Sequence, residues 1–366
     1  MSEVRDAMIV AGGAGTRLRP LTRTTPKPLL PFCGAPFLSG VIRRLAAVGV
    51  RRVLLVVGAD PSPFEVLRDD ARQVGVTLES VPEPEPLDTA GGVREACDRV
   101  EGTFLVLNGD ILTDVDLAGA IAAHHEARAA ATLVLTRVAD TSTFGVAVRE
   151  GGRIVRFVEK PAPGTLPGHD NVNAGTYVLE PEAIARFPRG PLSFEREVFP
   201  GLVERGAHVE GWVGDGVWAD LGTPERFLAG HRFALDGDLR WPSLEELPQP
   251  VAGHWLHDTA KVSPDATLVG PVLLGAGCRV APGARVGPHV VLGAGAEVGT
   301  GADLSDSVLF EGVRVGPWVR AEGALLGHHA RLGAEALLER DVVVGDRVEI
   351  EPAAHLTGGS RHPDDG

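Results

Sequence analysis

From Val262 onward a large apolar residue returns every six positions, and this spacing restricts the fold more than any other feature of the chain. Val262, Leu268, Leu274, Val280, Val286, Leu292, Val298, Leu304 and Phe310 keep the step without a miss. The phase slips within "EGVRVGPWVRAEGALLG" and resumes at Leu326, Leu332, Leu338, Val344, Ile350 and Leu356. Gly, Ala, Pro or Asp usually follows the large residue. A period of six fits neither a helix nor a simple alternating strand. It fits a short strand, a corner and a fresh strand, with one large apolar side chain per edge pointing into a stack. The reading is a parallel β-helix, with the slipped segment expected as a looped-out or irregular coil.

The preceding part has a different grammar. Short apolar runs alternate with amphipathic stretches, the pattern of a sheet wrapped by helices. "AMIVAGG", "RRVLLVVG", "GTFLVLNGD", "TLVLTRV" and "VNAGTYVL" read as strands. Phe37, Leu38, Val41, Ile42, Leu45 and Val48 share one helical face. "DGDLRWPSLEELPQPVAGHWLHD" is rich in proline and acid and has weak periodicity. The expected organisation is an α/β domain over 1–235, a linker over 236–258, the β-helix over 259–358 and a tail over 359–366, two cores being the prior for 366 residues.

Composition excludes several functions. A formal net charge of -14 argues against nucleic acid as a partner. No apolar run approaches a membrane span, and residues 1–8 carry acid and lack an apolar signal region, so export is not expected. Cys33, Cys97 and Cys278 have no paired spacing, which argues against a disulfide framework or zinc site and fits the cytoplasm. Basic residues nevertheless concentrate at Arg17, Arg19, Arg23 and Lys27, so a small anion is a possible ligand.

That cluster lies in "VAGGAGTRLRPLTRTTPKPLLP". A glycine-rich loop after a buried strand lets backbone N–H groups approach phosphates. The order is neither that of nucleotide hydrolases nor the full dinucleotide pattern. Lysine is scarce: only Lys27, Lys160 and Lys261 occur, and two of them stand in Lys-Pro dipeptides. A lysine kept where arginine is the default cation suggests a site for a compact point charge.

The signature G-G-x-G-T-R-L-R-P-L-T…P-K-P resembles that of the sugar-1-phosphate nucleotidylyltransferases, also called nucleotide-sugar pyrophosphorylases. The likeness runs nearly end to end. "EPLDTAGG", "LSFEREVFP" and "WADLGTPERF" carry a narrower likeness to bacterial mannose-1-phosphate guanylyltransferases. The resemblance implies a Rossmann-like mixed-sheet nucleotidyltransferase domain and a left-handed β-helix. It also implies a reaction in which a sugar-1-phosphate, here expected as mannose 1-phosphate, attacks a nucleoside triphosphate, here expected as GTP, to give GDP-mannose and pyrophosphate. Another sugar- or cyclitol-1-phosphate with a different nucleotide is the alternative, as is a non-catalytic regulatory relative.

The residues follow from the matched motifs. Lys27 would reach the reacting phosphates, and Lys160 the phosphate of the sugar. Ala11, Gly12, Gly13, Gly15, Thr16 and Arg17 would cradle the nucleotide, with Glu85, Ala90 and Gly91 at its base. Asp88 stands where the family commonly has glycine. Asp110 and Asp220 would hold Mg²⁺, which takes one or two carboxylates plus substrate phosphates. Asn108, Gly109, Gly145, Glu159, Lys160, Asn173, Gly175 and Glu195 would form the sugar side. No general base is needed, because the attacking phosphate is already ionised; cations and oriented N–H groups supply the catalysis. In the repeat, His289, His328 and His329 offer candidate bases for a second, acyl-transfer activity, but they read better as corner residues. The β-helix is expected to serve assembly as a homo-oligomer.

Overall fold

The structure is a computed structural model describing residues 4–162, 164–166, 168–245, 247 and 253–363. Contacts group the chain into two compact units, one of Met1–Gly13 with Val41–Trp218, the other of Ala14–Gly40 with Ala219–Gly366.

The first unit is built on a nine-stranded mixed sheet. In spatial order its strands are Thr77–Pro82, Arg52–Val57, Asp6–Val10, Phe104–Asn108, Asn171–Leu179, Ala131–Arg137, Val209–Val213, Arg153–Glu159 and Gly145–Glu150. The first four are mutually parallel. Such strands are covered on both faces, so they read as unbroken apolar runs; Ala7, Met8 and Ile9 are fully buried. All five strands expected from the sequence are present. The other four were not read. Arg153–Glu159 and Gly145–Glu150 form an antiparallel hairpin; the first mixes polar with apolar residues, and the second offers only the short run of residues 145–148. Helix Asp88–Ala96 packs Ala90, Val93 and Ala96 into one core with Met8, Leu54, Val106, Tyr177, Phe194 and Phe199. Because the four parallel strands point the same way, Ala11–Gly13, Glu83 and Gly109–Asp110 all emerge at one edge, where open α/β sheets bind ligands.

In the second unit three parallel sheets of seven, six and six strands form the β-helix. Val272 pairs with Val290, eighteen residues on, so three edges of six close one coil. The slipped segment is neither looped out nor irregular. Leu292 pairs with Leu309 and Leu304 with Ala321, seventeen residues on, so the coil closes with one residue fewer and the ladders stay unbroken. The short edges run from Leu304 to Leu309 and from Ala321 to Leu326. Their corners turn at Asp306 (φ 48°) and Gly323 (φ 65°), in the left-handed region that the longer edges also use. The stack therefore takes Leu309 and not Phe310. Phe310 faces outward and packs its ring 6.4 Å from Phe227 and 5.1 Å from His328.

Helix Pro224–Asp236 carries Phe227 and joins the β-helix through Arg232, which pairs with Asp306 at 3.1 Å. Of the expected linker, Pro242–Glu245 is helical and His254–Leu256 starts the seven-stranded sheet; residues 246 and 248–252 lie outside the described residues, as do 364–366 of the expected tail. Arg361–His362 is the last strand of that sheet. Trp241 is buried, stacked on Phe37 at 5.3 Å and edge-on to Phe32 at 5.2 Å. Gly40 lies beneath it: a Cβ there would sit 2.4 Å from the indole. Trp241→Ala removes this ring from a closed site and is expected to destabilise the second unit by about 3–5 kcal/mol. Thermal denaturation followed by near-UV circular dichroism measures the loss; an unchanged transition would show that the pocket collapses around the smaller side chain.

Candidate active site

In the first unit the glycine loop begins where the strand Asp6–Val10 ends. Ala11 donates its N–H to Val56 O at 2.7 Å, and Gly109 donates to Val10 O at 2.8 Å. The Asn108–Asp110 turn is thus tied to the loop. Gly109 must be small: a Cβ would meet Val10 O at 2.9 Å. Gly175, in the left-handed region at φ 71°, would touch Asn108 Nδ2 at 2.8 Å if it bore one. The structure therefore brings Ala11, Gly12, Asn108, Gly109 and Gly175 together.

Glu83, missed in the sequence, stands at this edge. It is 8 % exposed, and its carboxylate is enclosed against the backbone of Gly92. Its carboxylate approaches Gly12 and Gly92 so closely that a Cβ at either would lie 3.0 or 2.2 Å away. Burial pushes its carboxyl above the usual range. Glu85, two residues on, is exposed. Ala90 donates to Leu192 O at 2.8 Å and Gly91 abuts Gly190, so both sit in packed backbone. Asp88 has φ 61°, which explains why glycine suits the position. Aspartate tolerates this region by bonding locally; here Oδ1 accepts from Thr89 N at 2.8 Å and Oδ2 pairs with Arg196.

Of the residues expected on the sugar side, Gly145, Glu159, Lys160, Asn173 and Glu195 form a second cluster in the same unit, while Asn108 and Gly109 stay with the loop. Glu195 accepts from Thr89 Oγ1 at 2.7 Å and Ser193 Oγ at 3.1 Å. Asn173 Nδ2 donates to the buried Tyr177 hydroxyl at 2.8 Å and reaches Glu195 Oε1 at 3.5 Å, while its Oδ1 accepts from Gly175 N at 3.0 Å. Glu159 pairs in register with Gly145, and Lys160 Nζ lies 3.4 Å from Glu159 Oε1. Glu159 Oε2 is enclosed without a hydrogen-bond partner among the described residues. Burial, then the charge of Glu195, pushes the Glu159 carboxyl up. Glu159 Oε2 is thus an acceptor left unfilled among the described residues, and buried acceptors left unpaired are costly.

In the second unit three cations surround Asp220. Lys27 Nζ lies 3.7 Å from Oδ1, and Arg226 and Arg17 lie 2.9 and 3.9 Å from Oδ2. Asp220 Oδ1 is enclosed and has no hydrogen-bond partner among the described residues. Arg226 was not read from the sequence. Thr223 caps helix Pro224–Asp236 by accepting from Arg226 N, and this turn brings the guanidinium back to Asp220. Gly15, at φ 59°, accepts from Thr22 Oγ1 at 2.9 Å and lies under the Lys27 stem. The lysine side chain is only 9 % exposed.

A carboxylate ringed by cations, beside a glycine loop in short 3-10 turns, can bind polyphosphate and a hard divalent ion. Asp220 could supply one ligand to Mg²⁺, since its Oδ1 has no hydrogen bond to lose and a carboxylate is the ligand that ion prefers, although no group of three or more His, Cys, Asp or Glu gathers among the described residues. The corner histidines are engaged elsewhere. His289 lies between Asp236 at 2.8 Å and Asp306 at 3.3 Å, and His328 against Phe310. No helix among the described residues is long and apolar enough to cross a membrane.

The nucleotidyl transferase family model matches residues 6–237, and that of the GMPPB C-terminal domain matches residues 268–363. The chain belongs to the nucleotidyl transferase family. It is 39 % identical over 318 residues to the mannose-1-phosphate guanylyltransferase of Mycobacterium tuberculosis, covering 85 % of this chain and 81 % of that one. It is 33 % identical to the probable mannose-1-phosphate guanylyltransferase 3 of Oryza sativa subsp. japonica, covering 96 % and 94 %. The solved structure of HddC from Yersinia pseudotuberculosis is similar with a TM-score of 0.53 and 28 % identity, over 63 % of this chain and all of that one.

Proposed function

We propose that the chain is a mannose-1-phosphate guanylyltransferase that makes GDP-mannose from GTP and mannose 1-phosphate. A phosphate oxygen of the sugar attacks the α-phosphorus. A new P–O bond forms as the bond to the β-phosphate breaks, and pyrophosphate leaves with the electron pair. The observation that carries the reading is Asp220, a carboxylate with one unbonded oxygen held among Arg17, Lys27 and Arg226. Relatives bearing that name at 33–39 % identity supply the substrates.

In this reading Asp110 and Asp220 hold Mg²⁺, which neutralises phosphate charge when bound. Backbone N–H groups of Gly12, Gly13, Gly15 and Thr16, with Arg17 and Lys27, bind and orient the triphosphate. Lys160 holds the sugar phosphate. Glu159, Asn173 and Glu195, with the backbone of Gly145 and Gly175, take the hydroxyls. A cytoplasmic location belongs to the same reading, since all three cysteines are free thiols. So does self-association through the β-helix, which sedimentation equilibrium would detect. The test is a matrix of nucleoside triphosphates against sugar-1-phosphates, read by pyrophosphate release. GTP with mannose 1-phosphate should give the highest kcat/KM; a different pair preferred by an order of magnitude would replace the assignment.

Glu83 refines the nucleotide choice. Guanine presents two adjacent donors on one edge, and a carboxylate accepts both. Glu83→Gln replaces one acceptor with a donor, and a hydrogen bond to a charged group is worth roughly 1.5–3 kcal/mol. The expected loss in kcat/KM for GTP is therefore roughly 10- to 100-fold, with little change for ATP. Equal losses for both nucleotides would assign Glu83 to packing alone.

A further inference from the structure

We propose that Asp346, on the β-helix, is a positioning residue for turnover, acting through Thr24 on the segment that carries Arg17 and Lys27. The inference rests on the reading above. Thr24 Oγ1 donates to Asp346 Oδ2 at 2.6 Å across 322 residues of sequence. The acceptor is itself fixed: Asp346 Oδ1 accepts the His328 N–H at 2.8 Å from the neighbouring coil. Gly327 leaves the room this needs, since a Cβ there would lie 2.4 Å from Asp346 Oδ1. A second contact lies alongside, where Pro20 packs over Gly345 so closely that a Cβ would meet it at 3.2 Å.

The loop transmits the constraint because it is folded as a block. Its 3-10 turns Thr16–Leu18, Leu21–Arg23 and Lys27–Leu29 each close a backbone hydrogen bond. Thr22 Oγ1 bonds Gly15 O, and the Lys27 stem lies against Gly15. Arg17 and Lys27 reach Asp220 from this block, whereas Pro20 and Thr24 meet the β-helix. Thr24 is exposed and Asp346 only half-buried, so their bond contributes little to global stability. Its effect falls on where two cations stand, and misplacement of about 1 Å costs up to about 100-fold in rate.

The experiment uses the full chain with Asp346→Ala, Asp346→Asn, Thr24→Val and the Thr24→Val/Asp346→Ala double variant. Asp346→Ala and Thr24→Val should each lower kcat by roughly 10- to 100-fold while KM for both substrates and the melting temperature hold. Asp346→Asn keeps one acceptor for the His328 N–H and turns an amide N–H toward the Thr24 hydroxyl, which can accept it, and should recover most of kcat. The double variant should be no slower than the slower single, because each single already breaks the Thr24–Asp346 bond. Without any substrate, hydrogen exchange across residues 16–30 should quicken in Asp346→Ala and, apart from His328, whose N–H loses its acceptor, nowhere else in the second unit. Wild-type kcat in both singles, additive losses, or a fall that tracks melting temperature would overturn the proposal, as would unchanged exchange. If the wild type turned over no substrate pair, the functional reading would fail, while the exchange arm would still decide whether Asp346 orders the loop.

Discussion

Asp220→Asn is expected to lower kcat by roughly 10²–10³-fold, and Asp110→Asn by a similar factor, if both carboxylates hold the cation that offsets phosphate charge. In Asp220→Asn the neutral amide leaves Lys27, Arg17 and Arg226 crowded around a group that no longer balances them. The bound ion is then held less tightly as well as less neutralised. Steady-state kinetics against Mg²⁺ concentration separates these effects: the variants should need more Mg²⁺ for half-maximal rate, and excess chelator should silence the wild type. Circular dichroism guards against unfolding. Full wild-type turnover in excess chelator would sink the idea of a divalent ion between the phosphates.

Lys27→Met should cost roughly 10²–10³-fold in kcat, the usual effect of removing one preorganised donor from developing charge. The structure explains why arginine should not rescue it. The Lys27 side chain is nearly enclosed, its stem rests on Gly15, and its Nζ stands 3.7 Å from Asp220. A longer planar fork cannot occupy that space without moving the loop. Lys160 has a different setting, with a side chain 64 % exposed at a left-handed backbone position, φ 46°. Lys160→Met should chiefly raise KM for the sugar-1-phosphate, as expected where ground state and transition state are bound alike. Identical kinetic signatures for the two methionine variants would mean that the lysines share one task.

The architecture was legible where burial writes a period. Parallel strands covered on both faces gave apolar runs, and the β-helix gave its step of six. The one-residue slip was harder to read, because "VLF" at 308–310 offers neighbouring apolar side chains and only the shortened corner selects Leu309. In the site, Glu83 and Glu85 are indistinguishable within "PEPEP"; the strand end at Pro82 decides which one turns inward. Arg226 was hidden because its approach to Asp220 depends on where the helix is capped. The edge hairpin and the grouping of residues 14–40 with the C-terminal part left no local signal, since their partners lie far along the chain.

That grouping has a consequence for how the protein is made. Thr24 leaves the ribosome early, yet its partner Asp346 is added 322 residues later. At typical synthesis rates of about 5–20 residues per second, the wait is on the order of half a minute. During it the segment of residues 14–40 is present without the surface it docks on. A nascent chain that stops short of Asp346 would thus carry Arg17, Lys27 and Asp220 and still lack the bond to Thr24. Synthesis of Asp346 is the step that lets this contact form, and any loss or gain of a β-helix coil between these residues must return Asp346 to the same place.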